Sequence, residues 1–433
     1  MAKTLMAVDA GTGSVRAVLF SLEGEQLGCV QQEWTHKEDP RYPGSMDFDW
    51  VHNWDLARGC IRGVIEQTGV DPHDIAAVST TCMREGIVLY DKDGQEIWAC
   101  ANVDARSDDE VAQLVHMNPE LEKQIYRESG QTYALGALPR LFWVKNKMPE
   151  VYEKTAMCTM FNDWLIYKMT GVFSSEPSNA CTTGIFDLKA RNWDDQIAAS
   201  IGLKTGIFPK ISECGTVVAQ VGAKGAAETG LAEGTPVVAG GGDAQLGCVG
   251  VGVVDANQAA IFGGSFWQYE YNTDEAKTDE HCRVRVNCHS VPGIWQYEAL
   301  AFKPGMVMRW YRDAFCQYEK ELSKTTGRDP YDLMNEKAKD IPAGCYGMMC
   351  AFSDVMNYIS WRHASPMFIN FDFDPDKFNR YTFYRAIMEN TAMVTYGHMQ
   401  LVRESTGNIP KEVVFASGAS KSELWCQILC DVL

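Results

Sequence analysis

The sequence predicts an α/β protein of two domains, and three observations support this fold class. The chain has 433 residues, which is more than one hydrophobic core usually serves. Its composition, with 46% hydrophobic and 22% charged residues, is typical of a globular protein. Short apolar runs alternate with amphipathic stretches, and two distant glycine-rich turns each follow an apolar run. The second half repeats the layout of the first in its opening strand and turn.

The first half begins with strands. Apolar runs predict strands at residues 5–8 and 15–21, and a third strand that ends at Val30. Apolar residues at helical spacing predict a helix over residues 49–67, which Gly69 ends. Another strand is expected at residues 75–80.

A hairpin and a long helical region come next. The turn Asp93-Gly94 separates two apolar runs, as in a β-hairpin. We expect residues 108–169 to be helical, with a strand at residues 235–240 and a helix at residues 244–252 after them. The domain boundary is predicted just after Val254, which gives domains of residues 1–254 and 255–433.

The second half opens with a strand and a glycine turn at residues 259–266, followed by a strand at residues 268–271. Helical spacing predicts helices near residues 306–323, 330–339 and 378–406. A late strand at residues 413–416 leads through small residues into a final helix.

The charge balance narrows the classes of partner. The formal net charge is -18, which disfavours nucleic acid and anionic membrane surfaces as partners. No run of eighteen apolar residues occurs, and the fifteen cysteines form no C-x-x-C pair. We therefore expect a cytoplasmic protein with reduced thiols and a small-molecule partner. A homodimer is also compatible with the sequence.

The first glycine turn is Asp9-Ala10-Gly11-Thr12-Gly13-Ser14, with Arg16 just beyond it. Gly11 and Gly13 would let the chain turn tightly and present backbone N–H groups to an anion. Thr12 and Ser14 add hydroxyl donors, and Asp9 is placed to hold magnesium. A plain hairpin turn would explain the same residues, and the chain has no Walker A motif.

The second glycine turn is Gly240-Gly241-Gly242-Asp243. Three glycines would allow a ligand to approach closely. The positive end of the following helix would keep Asp243 ionised and able to accept a proton. The alternative is an aspartate that only caps its own helix.

Two further turns of small residues lie in the second half. Residues 263–265 are Gly263-Gly264-Ser265, a second candidate for amide donors, and residues 417–420 include Gly418, Ala419 and Ser420. The latter would let a flat base or ribose lie against the backbone. Each turn alone is a weak signal, whereas four in this order and spacing are not.

Taken together, the four turns resemble the carbohydrate kinases of the FGGY type, relatives of glycerol kinase and xylulokinase, over the whole chain from Lys3 to Leu433. The resemblance implies two duplicated actin-like (ribonuclease-H-like) domains with an interdomain cleft. The N-terminal domain would bind substrate and the C-terminal domain nucleotide, with ATP and Mg2+ as cofactors. The narrower match is to the autoinducer-2 kinases, which phosphorylate open-chain 4,5-dihydroxypentane-2,3-dione at its terminal hydroxyl. It rests on residues 45–46, 83–90, 98–106, 308–316, 352–354 and 374–377.

The resemblance also implies roles for individual residues. Asp243 would be the general base, and Asp9 with Asp243 would be the metal-linked carboxylates. Arg84, Glu85, Asn102 and Asp104 would lie at the substrate. The nucleotide would be held by three segments: Gly11, Thr12, Gly13, Ser14 and Arg16; Gly263, Gly264 and Ser265; and Gly418, Ala419 and Ser420.

Two departures from the common family pattern favour the narrower group. Asn102 stands where many sugar kinases of this type have tryptophan, which suggests a more polar substrate or hydrated carbonyls. Asp354 stands where glycine is common after the Phe-Ser pair. The chain also stops at Leu433 inside an apolar helix pattern, so we expect a truncated second domain.

Three alternatives remain at this stage. One is a kinase for another sugar or polyol, such as xylulose. Another is an actin-like ATPase without a small substrate, in which the charged residues would form surface ion pairs. The third, a non-catalytic sensor or repressor, is disfavoured because the chain begins directly with the first core strand.

Overall fold

The computed structural model describes residues 3–134, 136–352 and 367–433. The chain divides into two compact units. Unit 1 comprises Met1–Gly250 and Val286–Trp295, and unit 2 comprises Val251–Arg285 and Gln296–Leu433. The first division falls at Gly250, shortly before the expected boundary at Val254.

Unit 1 is built on a six-stranded mixed sheet in the order β10-β11-β4-β1-β2-β3. The first three strands along the chain form an antiparallel meander, whereas β4 is parallel to both β1 and β11. Alternating burial along β1 follows the two-residue period of a strand with one face in the core. The strands are β1 (Thr4–Ala10), β2 (Ser14–Ser21), β3 (Gln26–Glu33), β4 (Ile75–Cys82), β10 (Val217–Gln220) and β11 (Pro236–Gly242).

Helix α1 (Trp50–Thr68) confirms the expected helix. It begins where the Asp49 side chain accepts a hydrogen bond from the backbone N–H of His52, and it ends at Gly69 in the left-handed conformation. Trp54, Ala57, Ile61 and Val64 lie on its buried face, as the periodicity predicted.

The region predicted as one helical stretch, residues 108–169, is broken into shorter elements. Met157-Cys158-Thr159-Met160 forms a strand within it, because these residues pair with the first strand of the expected hairpin and complete a second sheet, β6-β5-β7. Four residues are too few for a periodicity that would separate strand from helix. The elements are β5 (Ile87–Tyr90), β6 (Glu96–Cys100), α2 (Asp108–Met117), α3 (Leu121–Ser129), α4 (Ala137–Lys147), α5 (Pro149–Lys154), β7 (Met157–Met160) and α6 (Phe161–Thr170).

The rest of unit 1 consists of short elements around the main sheet. The expected strand at residues 235–240 is β11, and the helix expected after it begins one residue early, at Asp243. The remaining elements are α7 (Pro177–Ala180), β8 (Phe186–Asp187), β9 (Asn192–Trp193), α8 (Asp195–Ser200), α9 (Ala223–Thr229) and α10 (Asp243–Gly250).

Unit 2 repeats the plan of the first sheet. Its strands run in the order β15-β13-β12-β18, in which β12 and β13 form an antiparallel hairpin and β18 is parallel to β12. This matches β1, β2 and β4 of unit 1, so the duplicated layout is present in both units. The strands are β12 (Ala259–Gly263), β13 (Trp267–Thr273), β15 (Trp295–Phe302) and β18 (Val413–Ala416), while β14 (Arg285–Cys288) spans the division between units.

The helices of unit 2 include the long buried α14. The helix expected at residues 306–323 is two helices, which meet at Cys316. In the described residues no helix is both long and apolar enough to span a membrane. The elements are α11 (Pro304–Phe315), α12 (Gln317–Thr326), α13 (Pro330–Ala338), the antiparallel strands β16 (Met349–Ala351) and β17 (Met367–Ile369), α14 (Arg380–Thr406) and α15 (Glu423–Val432).

Candidate active site

Three parallel strands of unit 1 end side by side. Ala10 is aligned with Cys82, and Cys82 with Gly242, so β1, β4 and β11 stop at one level of the sheet. Ligands of open α/β sheets bind outside the carboxyl ends of their strands. This edge carries Asp9, Arg84, Glu85 and Asp243, four of the predicted site residues.

Asp243 is the first residue of α10. Its Oδ1 accepts a hydrogen bond from the backbone N–H of Ala244 at 2.8 Å and lies 3.2 Å from Nε of Arg84. Its side chain is 49% exposed, whereas that of Arg84 is 5% exposed. Within the described residues Oδ2 has no hydrogen-bond partner, so one carboxylate oxygen is fixed and the other faces solvent.

The surroundings of Asp243 raise its pKa to about 6. Desolvation by the surrounding protein is the largest cause, and the carboxylates of Glu85 and Asp9 add to it. Arg84 and the N–H of Ala244 lower the pKa but do not balance these effects. A carboxyl with a pKa of about 6 is still ionised at neutral pH and able to accept a proton.

The three glycines before Asp243 serve the packing of the protein itself. A Cβ at Gly240 would lie 1.5 Å from the carbonyl oxygen of Thr80, because two residues of β11 bulge opposite one of β4. A Cβ at Gly241 would meet Oγ of Ser290 at 2.6 Å, and one at Gly242 would meet Oε1 of Gln245 at 2.6 Å. The predicted room for a ligand at these glycines is thus filled by the chain.

A buried polar network supports the end of β11. Oγ of Ser178 accepts the backbone N–H of Gly242 at 3.0 Å and donates to Oε2 of Glu176 at 2.7 Å. Glu176 is buried, which raises the pKa of its carboxyl, and it also accepts the backbone N–H of Ser178 and Asn179. Sequence reasoning missed this network, because Ser178 lies some sixty residues before Asp243.

The turn at residues 11–13 is held through its carbonyl oxygens. Nε1 of Trp34 donates to the carbonyl oxygens of Gly11 and Thr12 at 3.0 and 3.2 Å, and Nε2 of His36 lies 2.8 Å from that of Thr12. The backbone N–H of Trp34 bonds the carbonyl of Gly13 at 3.1 Å. No acceptor in the described chain is bonded to the N–H groups of residues 11–13, so these amides are available to an anion.

Neither glycine of this turn has a positive φ. A Cβ at Gly13 would meet nothing within 4 Å, and one at Gly11 only the carbonyl oxygen of Ser14 at 3.5 Å. The chain turns tightly between the paired residues Ala10 and Val15, as expected, and does so without a left-handed glycine. Space in front of the backbone, rather than backbone conformation, distinguishes glycine here.

The predicted magnesium carboxylates fit that ion by their chemistry. Arg16 contacts Oδ2 of Asp9 through Nε at 2.8 Å and through a terminal nitrogen at 2.7 Å, which leaves Oδ1 without a partner in the described residues. No group of three or more acidic, histidine or cysteine side chains among those residues is arranged around a metal. Magnesium needs only one or two carboxylates beside phosphates and water, and Asp9 and Asp243 supply two.

The four predicted substrate residues differ in exposure and bonding. Arg84 and Glu85 are buried, and Glu85 has a positive φ of 65°, which is strained for a residue with a side chain. Asn102 donates from Nδ2 to Oγ1 of Thr12 at 3.0 Å. Asp104 is fully buried, and both its oxygens are engaged by Arg106 and the backbone N–H of Met46.

Arg140 of α4 is a site residue that sequence reasoning did not identify. Its guanidinium is buried and donates to the carbonyl oxygens of Glu85, of Asn102 at 2.6 Å and of Asp104 at 2.9 Å. One side chain thus ties together the two chain segments that carry the predicted substrate residues. An arginine within the apolar run Leu138–Val144 was the available signal, because a charged residue in such a run must find buried partners.

In unit 2 the two remaining turns meet at one sheet edge. Phe262 is aligned with Ala416, so β12 and β18 end together, and a Cβ at Gly263 would lie 2.8 Å from Cβ of Ala419. The N–H of Gly264 donates to the carbonyl of Phe266 at 2.9 Å. This amide was predicted to be a donor to a ligand, and that prediction is wrong. Ser417 has a φ of 76°, a strained turn residue ahead of Gly418, Ala419 and Ser420. Ser353 and Asp354 lie outside the described residues.

Two family models match the chain. The N-terminal domain of the FGGY family of carbohydrate kinases matches residues 4–250, and its C-terminal domain matches residues 267–433. Curated relatives include the autoinducer-2 kinases of Yersinia enterocolitica serotype O:8 / biotype 1B (48% identical) and Escherichia coli strain ATCC 8739 (47% identical). Both matches cover 99% of this chain and 81% of the relative.

Solved structures share the fold at lower identity. A xylulose kinase from Rhodospirillum rubrum superposes with a TM-score of 0.85 at 22% identity, covering 99% of this chain and 84% of that one. A gluconate kinase from Lactobacillus acidophilus gives 0.85 at 19% identity, covering 100% and 84%. The chain therefore belongs to the FGGY family of carbohydrate kinases, with the two-domain α/β fold of that family.

Proposed function

We propose that the chain catalyses ATP-dependent phosphorylation of autoinducer-2 at the terminal hydroxyl of its open-chain form, 4,5-dihydroxypentane-2,3-dione. The product would be phospho-autoinducer-2. Family membership makes the chain a carbohydrate kinase, and the choice of acceptor is supported by curated autoinducer-2 kinases 46–48% identical over 99% of the chain. The observation that carries the chemistry is Asp243, with one oxygen anchored and the other accessible.

Asp243 is the general base of this proposal. Its free Oδ2 accepts the proton of the acceptor hydroxyl as the hydroxyl oxygen attacks the γ-phosphorus in line. A base with a pKa of about 6 is ionised at neutral pH and more basic than an ordinary aspartate. Phosphoryl transfer asks chiefly for positioning and charge stabilisation, so one carboxylate and fixed donors suffice.

Arg84, Glu85 and Asn102 orient the acceptor. Arg84 is fixed against Asp243, so a hydroxyl or carbonyl bound to its guanidinium would lie beside the base. Asn102 adds an amide at a position that suits a polar or hydrated substrate. Because both oxygens of Asp104 are already engaged, we assign Asp104 a positioning role, in which it shapes the segment without touching the acceptor.

For the nucleotide, we propose binding residues in each unit, taken separately. In unit 1 its phosphates would meet the free amides of residues 11–13, the hydroxyls of Thr12 and Ser14, and Arg16. The turns at residues 263–265 and 418–420 of unit 2 would hold the remaining phosphate and the adenosine. Asp9 and Asp243 would hold Mg2+, which when bound neutralises phosphate charge.

We also propose a cellular compartment and a class of binding partner. All fifteen cysteines are free thiols, which supports a reducing, cytoplasmic compartment. We propose a small-molecule acceptor and neither nucleic acid nor membrane as partner, on the net charge of -18. A homodimer stays a prediction, which light scattering of the purified chain would test.

A coupled assay of ADP release tests the function. The dione, xylulose, ribulose and glycerol are compared as acceptors, and the expected result is a higher kcat/KM for the dione. Asp243→Asn should lower kcat by roughly two orders of magnitude or more while nucleotide affinity changes little. A higher kcat/KM for xylulose would show that xylulose, and not the dione, is the acceptor. ATP hydrolysis that no acceptor stimulates would favour the ATPase alternative.

A further inference from the structure

Arg140 is a buried cation that binds backbone rather than a carboxylate. Its side chain makes no ion pair within the described chain, and its guanidinium donates to the three carbonyl oxygens of Glu85, Asn102 and Asp104. A guanidinium presents five donors in a rigid plane, so it can hold several acceptors in one arrangement. The two segments that would line the acceptor, residues 84–85 and 102–104, are thereby joined into one wall.

Asn102 connects this wall to the phosphate turn. Its carbonyl oxygen accepts from Arg140 at 2.6 Å, while its Nδ2 donates to Oγ1 of Thr12 at 3.0 Å. Oδ1 of Asn102 is buried and has no hydrogen-bond partner in the described residues, so the amide is not held by other side-chain bonds. The contact to Thr12 is its one side-chain hydrogen bond in the described chain.

Thr12 is itself fixed through its backbone. Trp34 and His36 bind its carbonyl oxygen from behind the turn. Its hydroxyl accepts from Asn102 and keeps its own hydrogen to donate. A phosphate oxygen in front of the turn would receive that hydrogen, and a hydroxyl that already accepts a hydrogen bond is a stronger donor.

We propose that the chain Arg140–Asn102–Thr12 couples the two ligands, so that nucleotide at the phosphate turn raises the affinity for acceptor at the wall, and the reverse. This deepens the proposed function and rests on it. Arg140 acts as a positioning residue, and Asn102 with Thr12 is the link. By thermodynamic linkage the two affinities change by the same factor, which makes the coupling measurable from either side.

The test compares Thr12→Val with Thr12→Ser. Valine matches the shape of threonine without the hydroxyl, whereas serine keeps the hydroxyl. The dissociation constant of the non-hydrolysable nucleotide adenylyl-imidodiphosphate is measured by calorimetry with and without saturating dione. In the unmodified protein and in Thr12→Ser we expect the dione to tighten binding about tenfold. In Thr12→Val the ratio should fall to within about twofold of unity, whatever the absolute affinity.

A second measurement needs no acceptor. Hydrogen exchange of residues 99–106 is followed when adenylyl-imidodiphosphate is added. We expect slower exchange there in the unmodified protein and in Thr12→Ser, and no slowing in Thr12→Val or in Arg140→Lys, whose ammonium cannot span three carbonyls.

The outcomes separate this inference from the function. A ratio that Thr12→Val leaves unchanged, or equal slowing of exchange in all variants, would overturn the coupling while the kinase activity stands. Failure of the dione to be phosphorylated by the unmodified protein would refute the acceptor assignment, and the exchange measurement would still decide the coupling.

Discussion

The two glycine turns at the edge of the first sheet look alike in sequence and differ in what surrounds them. At Gly240, Gly241 and Gly242 the space of a side chain is already filled by Thr80, Ser290 and Gln245. At Gly11 and Gly13 that space is open, and their amides have no protein partner in the described residues. The first set of glycines lets β11 reach the correct place for Asp243, and the second leaves room for a ligand. The same residue type thus serves packing in one turn and, in our proposal, ligand binding in the other.

The largest difference between the two turns should appear in folding. Gly240→Ala places a Cβ 1.5 Å from a backbone oxygen in the interior of the sheet, so we expect a loss of roughly 3 kcal/mol or more in unfolding free energy, or no folded protein. Urea unfolding followed by circular dichroism measures it. Gly250→Ala is the matched control, because a Cβ there meets nothing within 4 Å. Equal stability of the two variants would refute the packing role.

The rate of catalysis should depend on the hydrogen bonds that hold the turn at residues 240–242. Ser178→Ala removes the acceptor for the N–H of Gly242 and a donor to Glu176. We expect kcat to fall about tenfold because Asp243 is displaced, with a loss of about 1–3 kcal/mol in stability. Ser290→Ala, which removes a hydroxyl 3.3 Å from that of Ser178 without contacting the N–H of Gly242, should have the smaller effect on kcat. The reverse order would show that Ser178 does not position the base.

Nucleotide affinity should depend on the open space at the turn of residues 11–13. Gly13→Ala has an allowed backbone angle and open space, so we expect unfolding free energy to change by less than about 0.5 kcal/mol. The added methyl group should crowd phosphates that bind against this backbone, so we expect nucleotide affinity to fall about tenfold, which equals about 1.4 kcal/mol. Calorimetry with adenylyl-imidodiphosphate measures the affinity. Unchanged affinity would mean that the phosphates do not approach this turn.

The smallest expected effect is on stability at the base itself. Because folding raises the pKa of Asp243 from 3.8 to about 6, the folded state binds more protons between these values, and stability falls as pH rises through them. Above pH 6 that loss is complete, so Asp243→Asn should raise Tm slightly at pH 7.5. Below pH 4 both side chains are neutral and the difference should vanish. A lower Tm for the variant at pH 7.5 would contradict the raised pKa.

Much of the fold could be predicted because its elements have clear local signals. Helix α1 has its cap at Asp49 and its stop at Gly69, and the hairpin of β5 and β6 surrounds Asp93-Gly94. Strand β7 was missed because its four residues acquire their conformation from pairing with β5. The break at Cys316 between α11 and α12 likewise has no glycine or proline to mark it.

Sequence patterns predicted the candidate site residues that follow strands, and they did not predict the residues that hold those segments in place. Asp9, Arg84, Glu85 and Asp243 lie at strand ends, which apolar runs reveal. Contacts across long sequence separations have no such signal: Arg140 reaches Glu85 and Trp34 reaches Gly11 only through the fold. Arg106 donates hydrogen bonds to both carboxylate oxygens of Asp104. This contact depends on the burial of both side chains, which the sequence does not reveal.

The most direct test of the account is the pH dependence of kcat/KM for the dione. If Asp243 accepts the proton of the hydroxyl with a pKa of about 6, activity should be level above about pH 7 and fall tenfold per unit below about pH 6. The residual activity of Asp243→Asn should lack this limb. A limb with the same midpoint in the variant, or full activity of the unmodified protein down to pH 4.5, would contradict the assignment of the base.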